Sequence, residues 1–156
     1  MNQINLIIDT TLLVLFVVGM TSRDLIAKHK RLRAFSTDDF DLLCRLIAGS
    51  QGVFVTPNIL TESSNWLGYI DEPARTQIFE TFRGLILRIP EEYVESRTAA
   101  GAKEFLRLGL TDSALLEIAS ESRSLLTTDL DLYLSASKRG VSAVNFNHLR
   151  EGVTLV

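Results

Sequence analysis

The chain has 156 residues, 46% of them hydrophobic and 22% charged, with a net charge of −3. These values fit one globular domain; they exclude a disordered chain and one that holds nucleic acid through bulk positive charge. Cys44 is the only cysteine and His29 and His148 the only histidines, which excludes an internal disulfide and a Cys/His zinc site and suits a cytoplasmic protein.

From Ile4 to Met20 nearly every residue is apolar. The run falls short of the ~20 residues a membrane span needs, and Asp9 sits inside it. It lacks the positive start and Ala-x-Ala site of a signal peptide. It reads as a buried strand, Ile4–Ile8, followed by a buried helix, Thr11–Gly19. A helical stretch, Thr21–Arg33, carries a local basic cluster of Arg23, Lys28, His29, Lys30, Arg31 and Arg33, opposed only by Asp24. By itself such a cluster is a solvated helix face; bordering a nuclease site, it would meet a phosphate backbone. Asp38–Ala48 is the next helix, with Ser36 and Asp39 forming a capping box. Cys44 lies there among Leu42, Leu43, Leu46 and Ile47, as a small buried hydrophobe rather than a reactive thiol.

Val53–Thr56 is a second strand run, and Thr56 then Pro57 places an N-cap before a proline at the first helical position. Helices are expected at Pro57–Tyr69 and Glu72–Arg83, and a third strand at Leu85–Ile89, closed by Pro90. A helix at Glu91–Leu108 is followed by Gly109, where a C′ glycine belongs. Then come a helix at Asp112–Ser120, a strand at Leu125–Thr128, a helix at Leu130–Lys138 and, after Gly140, a strand at Val141–Asn145. The strand runs are continuously apolar, which suits parallel strands covered on both faces. No repeat or linker divides the chain. The fold class is α/β: a single three-layer domain around a central, mostly parallel five-stranded sheet, with an extended helical, basic segment at about 20–50.

Sites in such sheets lie beyond the carboxyl ends of the strands. Asp9 ends the first strand run and Asp129 the fourth, on one edge. Glu62 falls at the margin of the apolar stripe formed by Ile59, Leu60, Trp66, Leu67 and Ile70. Asp112 starts a helix within one helical step of the face of Leu115, Leu116 and Ala119. Taken singly, each acid has a plain role: Asp9 and Asp129 as helix caps, Asp112 as a first-turn residue favoured by the helix dipole, Glu62 as a salt-bridge partner. Taken together, four converging carboxylates repel one another at about 4 kcal/mol per pair near 4 Å and an effective dielectric near 20. A divalent cation such as Mg²⁺ or Mn²⁺ relieves that repulsion. Asp131 is a fifth acid nearby, expected on the exposed side of its helix.

At this point the residues resemble the PIN-domain family, including VapC-like toxins. The matching stretches are Leu6-Ile7-Ile8-Asp9-Thr10-Thr11, Val55-Thr56-Pro57-Asn58-Ile59-Leu60-Thr61-Glu62, Leu110-Thr111-Asp112-Ser113-Ala114 and Leu125-Leu126-Thr127-Thr128-Asp129. They occur in the family's order across almost the whole chain. The resemblance implies a five-stranded parallel sheet and an Mg²⁺- or Mn²⁺-dependent endoribonuclease. Asp9, Glu62, Asp112 and Asp129 would form its catalytic and metal-binding quartet, with Thr127, Thr10 and Asp131 in support. Arg23, Lys28, Lys30, Arg31 and Arg33 would bind RNA. Many relatives are toxins paired with an antitoxin protein and many are homodimers, so both are expected partners beside the RNA substrate. The stretch Thr10 to Gln51 is longer than in the compact toxins; it is expected to extend the RNA surface, to contact a partner or to enlarge the fold.

Other hydrolase readings fit worse. A haloacid-dehalogenase-type phosphatase needs a second Asp two residues after the first, where Thr11 stands. No phosphate-cradling Gly-Lys-Ser/Thr element and no Gly-x-Ser-x-Gly elbow is present. The alternative from another class is a PIN-like RNA- or protein-binding module whose site is weak or silent.

Overall fold

The computed structural model describes residues 4–152. It is α/β, with a four-stranded parallel sheet in the order β2-β1-β3-β4: β1 is Asn5–Ile8, β2 Gly52–Phe54, β3 Arg123–Thr127 and β4 Ala143–Asn145. Successive strand residues point to opposite faces. In β1 both Ile7 and Ile8 are buried, and in β3 both Leu125 and Leu126. Both faces of the central strands are therefore covered, which makes three layers.

The helices are α1 Thr10–Thr21, α2 Thr37–Ala48, α3 Pro57–Leu67, α4 Ala74–Ile86, α5 Ser96–Ala100, α6 Phe105–Ile118, α7 Leu130–Lys138 and α8 Phe146–Arg150. Helix α1 is buried nearly all round, through Leu12, Leu13, Val14, Leu15, Val17 and Val18. At 1.5 Å per residue its 12 residues fall well short of a bilayer, and among the described residues no helix is long and apolar enough to cross a membrane. The local start signals act as read. Ser36 and Asp39 make a reciprocal capping box, and Thr56 caps α3 ahead of Pro57.

Three expected elements differ. The strand expected at Leu85–Ile89 does not form. Ile78, Phe82 and Leu85 follow helical spacing, so Leu85 and Ile86 complete α4, and Leu87 is 79% exposed in the turn beyond. What remains of a fifth strand is a single parallel bridge between Val55 and Glu91. The helix expected at Thr21–Arg33 is a short 3₁₀ turn, Arg23–Lys28, followed by irregular chain. Its buried residues Ile26, His29 and Leu32 recur every three positions, the 3₁₀ repeat, rather than every 3.6. The helix expected at Glu91–Leu108 breaks into α5 and the start of α6. Tyr93 at 78% and Leu106 at 97% exposure leave that stretch without a continuous apolar face. Within α6, Gly109 takes φ 82°, a left-handed conformation that favours glycine, and resets the helix just before Asp112.

Helix α6 is tied to α7 by a buried pair. Glu104 is 4% exposed and accepts two hydrogen bonds from Arg139, at 3.1 and 2.7 Å. The bidentate guanidinium outweighs the cost of burial and holds the Glu104 carboxyl at about 2, below its usual range. Helix α2 meets α1 at Gly19, where an added Cβ would lie 2.2 Å from the Phe40 ring.

Two outcomes follow. Gly19→Ala, although it raises helix propensity, is expected to lower stability by about 1–3 kcal/mol, because the added methyl would overlap the buried Phe40 ring; urea titration measures it. A carboxylate with a depressed folded pKa stabilises above its unfolded pKa. The Glu104 contribution should therefore be complete above pH 4.5 and fade as pH falls toward 2. Glu104→Gln is expected to cost about 3 kcal/mol at neutral pH, the low end for breaking a buried pair, and to flatten that acid limb in a pH series of melts.

Candidate active site

The strand order reverses beside β1: the chain passes from β1 to β2 on one side, while β3 pairs on the other. A crevice outside the carboxyl ends of β1 and β3 is the expected location of a site in an open α/β sheet. Asp9 and Asp129 stand there, each capping the helix that follows. The Leu12 N–H donates to Asp9 Oδ1 at 3.0 Å, and the Leu132 N–H donates to Asp129 Oδ1 at 3.0 Å. The N-termini of α1 and α7 thus open onto the same place, where their dipoles favour negative charge.

Thr127, buried at the end of β3, joins the two acids. Its hydroxyl donates to Asp9 Oδ2 and accepts from the Asp129 N–H at 3.0 Å. The Thr128 N–H also donates to Asp9 Oδ2, at 3.0 Å. Asp9 therefore accepts three hydrogen bonds, leaving about one of the four acceptor positions of a carboxylate.

Glu62 from α3 and Asp112 from α6 complete the walls. Asp9, Thr10, Thr11, Glu62, Trp66, Asp112, Thr128 and Asp129 surround a cavity of about 290 Å³. No Lys, Arg or His is among them, and among the described residues none of the four carboxylates is in a salt bridge. Burial, then the charges of Asp129, Asp9 and Glu62, push the Asp112 carboxyl up to about 7. Burial also raises Asp9, with Asp129 adding to it, against the three hydrogen bonds that lower it.

The structure thus brings the four acids to one cavity. Thr127 holds two of them, and Thr10 lines the wall with a buried Oγ1 that has no hydrogen-bond partner. Asp131 is exposed in the first turn of α7 and does not line the cavity. Of the basic segment only Arg31 touches the site, its guanidinium 3.9 Å from the centroid of the Trp66 ring. Arg23 is paired with Asp41, and Lys28, Lys30 and Arg33 are exposed. His29 belongs to the core. Its Nδ1 accepts the Arg31 N–H at 3.1 Å, so Nε2 carries the proton and donates to the Leu67 carbonyl, also at 3.1 Å. Burial lowers its pKa, keeping it neutral.

Sequence reasoning missed Trp66 and Thr128 as site residues. Trp66 lies four residues after Glu62, hence on the same helix face; that spacing could have flagged it. Thr128 acts through its backbone N–H, which no sequence pattern displays.

No family model matches the chain, and no curated protein does either. The donor set itself bears on what the site could hold. It is all oxygen, rich in carboxylate, lacks a protein counter-charge and includes an unsatisfied hydroxyl, which fits a hard divalent cation better than zinc or copper. Among the described residues, no three acid, His or Cys side chains already meet around one point. Mg²⁺ keeps several of its waters and takes few carboxylates directly, so acids spaced around a cavity of this size suit it.

A carboxyl whose folded pKa is raised destabilises the fold in its charged form. Between pH 3.8 and about 7 the folded protein holds a proton on Asp112 that the unfolded chain has lost, so this group makes stability fall as pH rises through that window. In chelator, Asp112→Asn is expected to melt higher than the native protein at pH 8, with the gap closing toward pH 4. A variant that melts lower at pH 8 would show that the carboxylate has a counter-charge.

Proposed function

We propose that this protein is a divalent-metal-dependent endoribonuclease of the PIN type, hydrolysing RNA phosphodiester bonds with Asp9, Glu62, Asp112 and Asp129. The observation that carries this reading is the shared cavity of four acids with no cation in its walls and with Asp112 displaced to about 7. Charges concentrated this way are rarely kept unless a ligand offsets them.

Asp9, Glu62, Asp112 and Asp129 would hold Mg²⁺ or Mn²⁺, which when bound supplies an activated water and offsets charge building on the phosphate. The residues of the chain supply the rest. Thr127 and the N–H groups of Leu12 and Thr128 fix the orientation of Asp9. Asp112 would hold the cation as the charged carboxylate, because a ligand carboxylate must be deprotonated. The N-termini of α1 and α7 favour the charged form of the carboxylates that cap them, Asp9 and Asp129. Arg31, over the ring of Trp66, has a planar guanidinium suited to a phosphate. The competing reading, a PIN-like binding module with a silent site, has one observation on its side: the acids do not close on a single point as they stand.

The test is cleavage of a labelled single-stranded RNA with Mn²⁺, Mg²⁺ or chelator. Cleavage is expected to need the metal and to disappear in Asp9→Asn and Asp112→Asn. Thr127→Val, which leaves all four acids, should lower activity or metal affinity about 10–100-fold, as loss of a ligand-orienting group does. A melt separates the two readings. At 100-fold excess over Kd a ligand adds about 2.7 kcal/mol, or roughly 5–10 °C for a chain of this size. A metal-dependent rise that Asp112→Asn abolishes supports the site. No rise and no cleavage would leave the silent module.

A further inference from the structure

Helix α3 turns two rows of side chains in two directions. Glu62 and Trp66 face the acidic cavity. About a quarter turn away, Asn58, Thr61 and Asn65 face a second hollow of about 380 Å³ between α3 and the middle of α6, completed by Leu110 and Thr111. Glu62 belongs to both, so the hollows adjoin.

The second hollow is built differently from the first. Apart from Glu62 at the junction it has no charged wall, so it offers nothing to pair with a phosphate. Its polar side chains are two amides and two hydroxyls, none of which makes a hydrogen bond with another described residue. A carboxamide presents a donor and an acceptor side by side in one plane, which is the pattern of a nucleobase edge. Leu110, 38% exposed, gives the flat face of a base an apolar wall. Asn58 and Asn65 are two helical turns apart, about 10 Å along the axis, a span that suits one base with room for its neighbour.

We propose that this hollow is a nucleobase subsite. It takes the base of a nucleotide adjoining the bond cut in the acidic cavity, with Asn58 and Asn65 reading its edge. Such reading needs the edge to be free, because in a duplex it is engaged and the deep groove is closed to side chains. The inference rests on the nuclease reading and adds to it a specificity-determining pair outside the catalytic acids.

The experiment is digestion, with Mn²⁺, of a pool of single-stranded RNAs randomised around a central stretch, followed by sequencing of the product ends. The native protein is expected to favour one base at a position beside the cut by about tenfold, the discrimination a paired amide contact supplies. In the Asn58→Ala/Asn65→Ala double variant that position alone should lose its preference, while the Mn²⁺-dependent rise in melting temperature persists. The same pool annealed to its complement should resist cutting. Cleavage with no base preference, a preference unchanged in the double variant, or equal cutting of the annealed pool would each overturn the subsite and leave the nuclease reading standing. Failure of the native protein to cut any member would sink the nuclease reading and the subsite with it.

Discussion

The carboxylate of Asp9 is buried at the end of β1, and β3 is what makes that burial tolerable. The Thr127 hydroxyl and the Thr128 N–H come from the neighbouring strand and its exit, and the Leu12 N–H from the helix that Asp9 itself begins. One side chain thus locks strand pairing and helix start together. A one-residue slip of β1 against β3 would turn Asp9 to the other face and leave it unsatisfied, so the register Ile8 to Leu126 is fixed from both ends. Adjacent strands lie about 4.8 Å apart, which is why Asp9 and Asp129 must be neighbours once that register is set.

The consequence is a concentration of like charge that the fold has to withstand. The structure places a bidentate ion pair, Glu104 with Arg139, at the ends of the two helices that carry or follow Asp112 and Asp129. That pair ties the start of α6 to the end of α7, at the opposite end of α7 from Asp129. A second polar chain supports the strand exits. Arg150 binds both oxygens of Asp39 and the Ala34 carbonyl and contacts Asn147 at 3.3 Å, while the Asn147 amide donates to the Thr128 carbonyl at 3.2 Å. The residue whose N–H holds Asp9 is therefore itself held from α8. Stability spent at one place and restored nearby is the usual pattern where a site breaks the rules of a core.

Particular residues show what could be read in advance. Asp9, Thr127 and Asp129 were legible because a parallel strand advertises itself as an apolar run and its carboxyl end is a fixed place in the fold. The caps at Ser36 and Thr56 were legible because capping is local chemistry. The run Leu85–Ile89 was misleading, since apolar residues in a row look alike at the end of a helix and in a buried strand; only the spacing from Ile78 and Phe82 tells them apart. The segment after Ser22 misled for a related reason. His29 was grouped with the cations around it, but it continues the buried three-residue repeat of Ile26 and Leu32, and its charge is lost to burial. The links through Arg150, 111 residues from Asp39, belong to tertiary structure and leave no local trace.

His29 also explains how an acidic chain presents a cation to its own acidic site. By donating to the Leu67 carbonyl it ties the irregular basic segment to the end of α3, and by accepting the Arg31 N–H it aims that residue back along the helix. Arg31 then rests on Trp66, one turn from Glu62, with Tyr69 5.6 Å away on the same side. A guanidinium stacked on an indole keeps its charge and its in-plane donors while losing little freedom on contact with a phosphate. The other exposed lysines and arginines of the segment have no such seat, and long solvated side chains add little beyond screened attraction. On the proposed reading the work divides by chemistry: a cation between the acids would neutralise the reacting phosphate, Arg31 orients the backbone at the rim, and the uncharged row on α3 is left to distinguish one base from another.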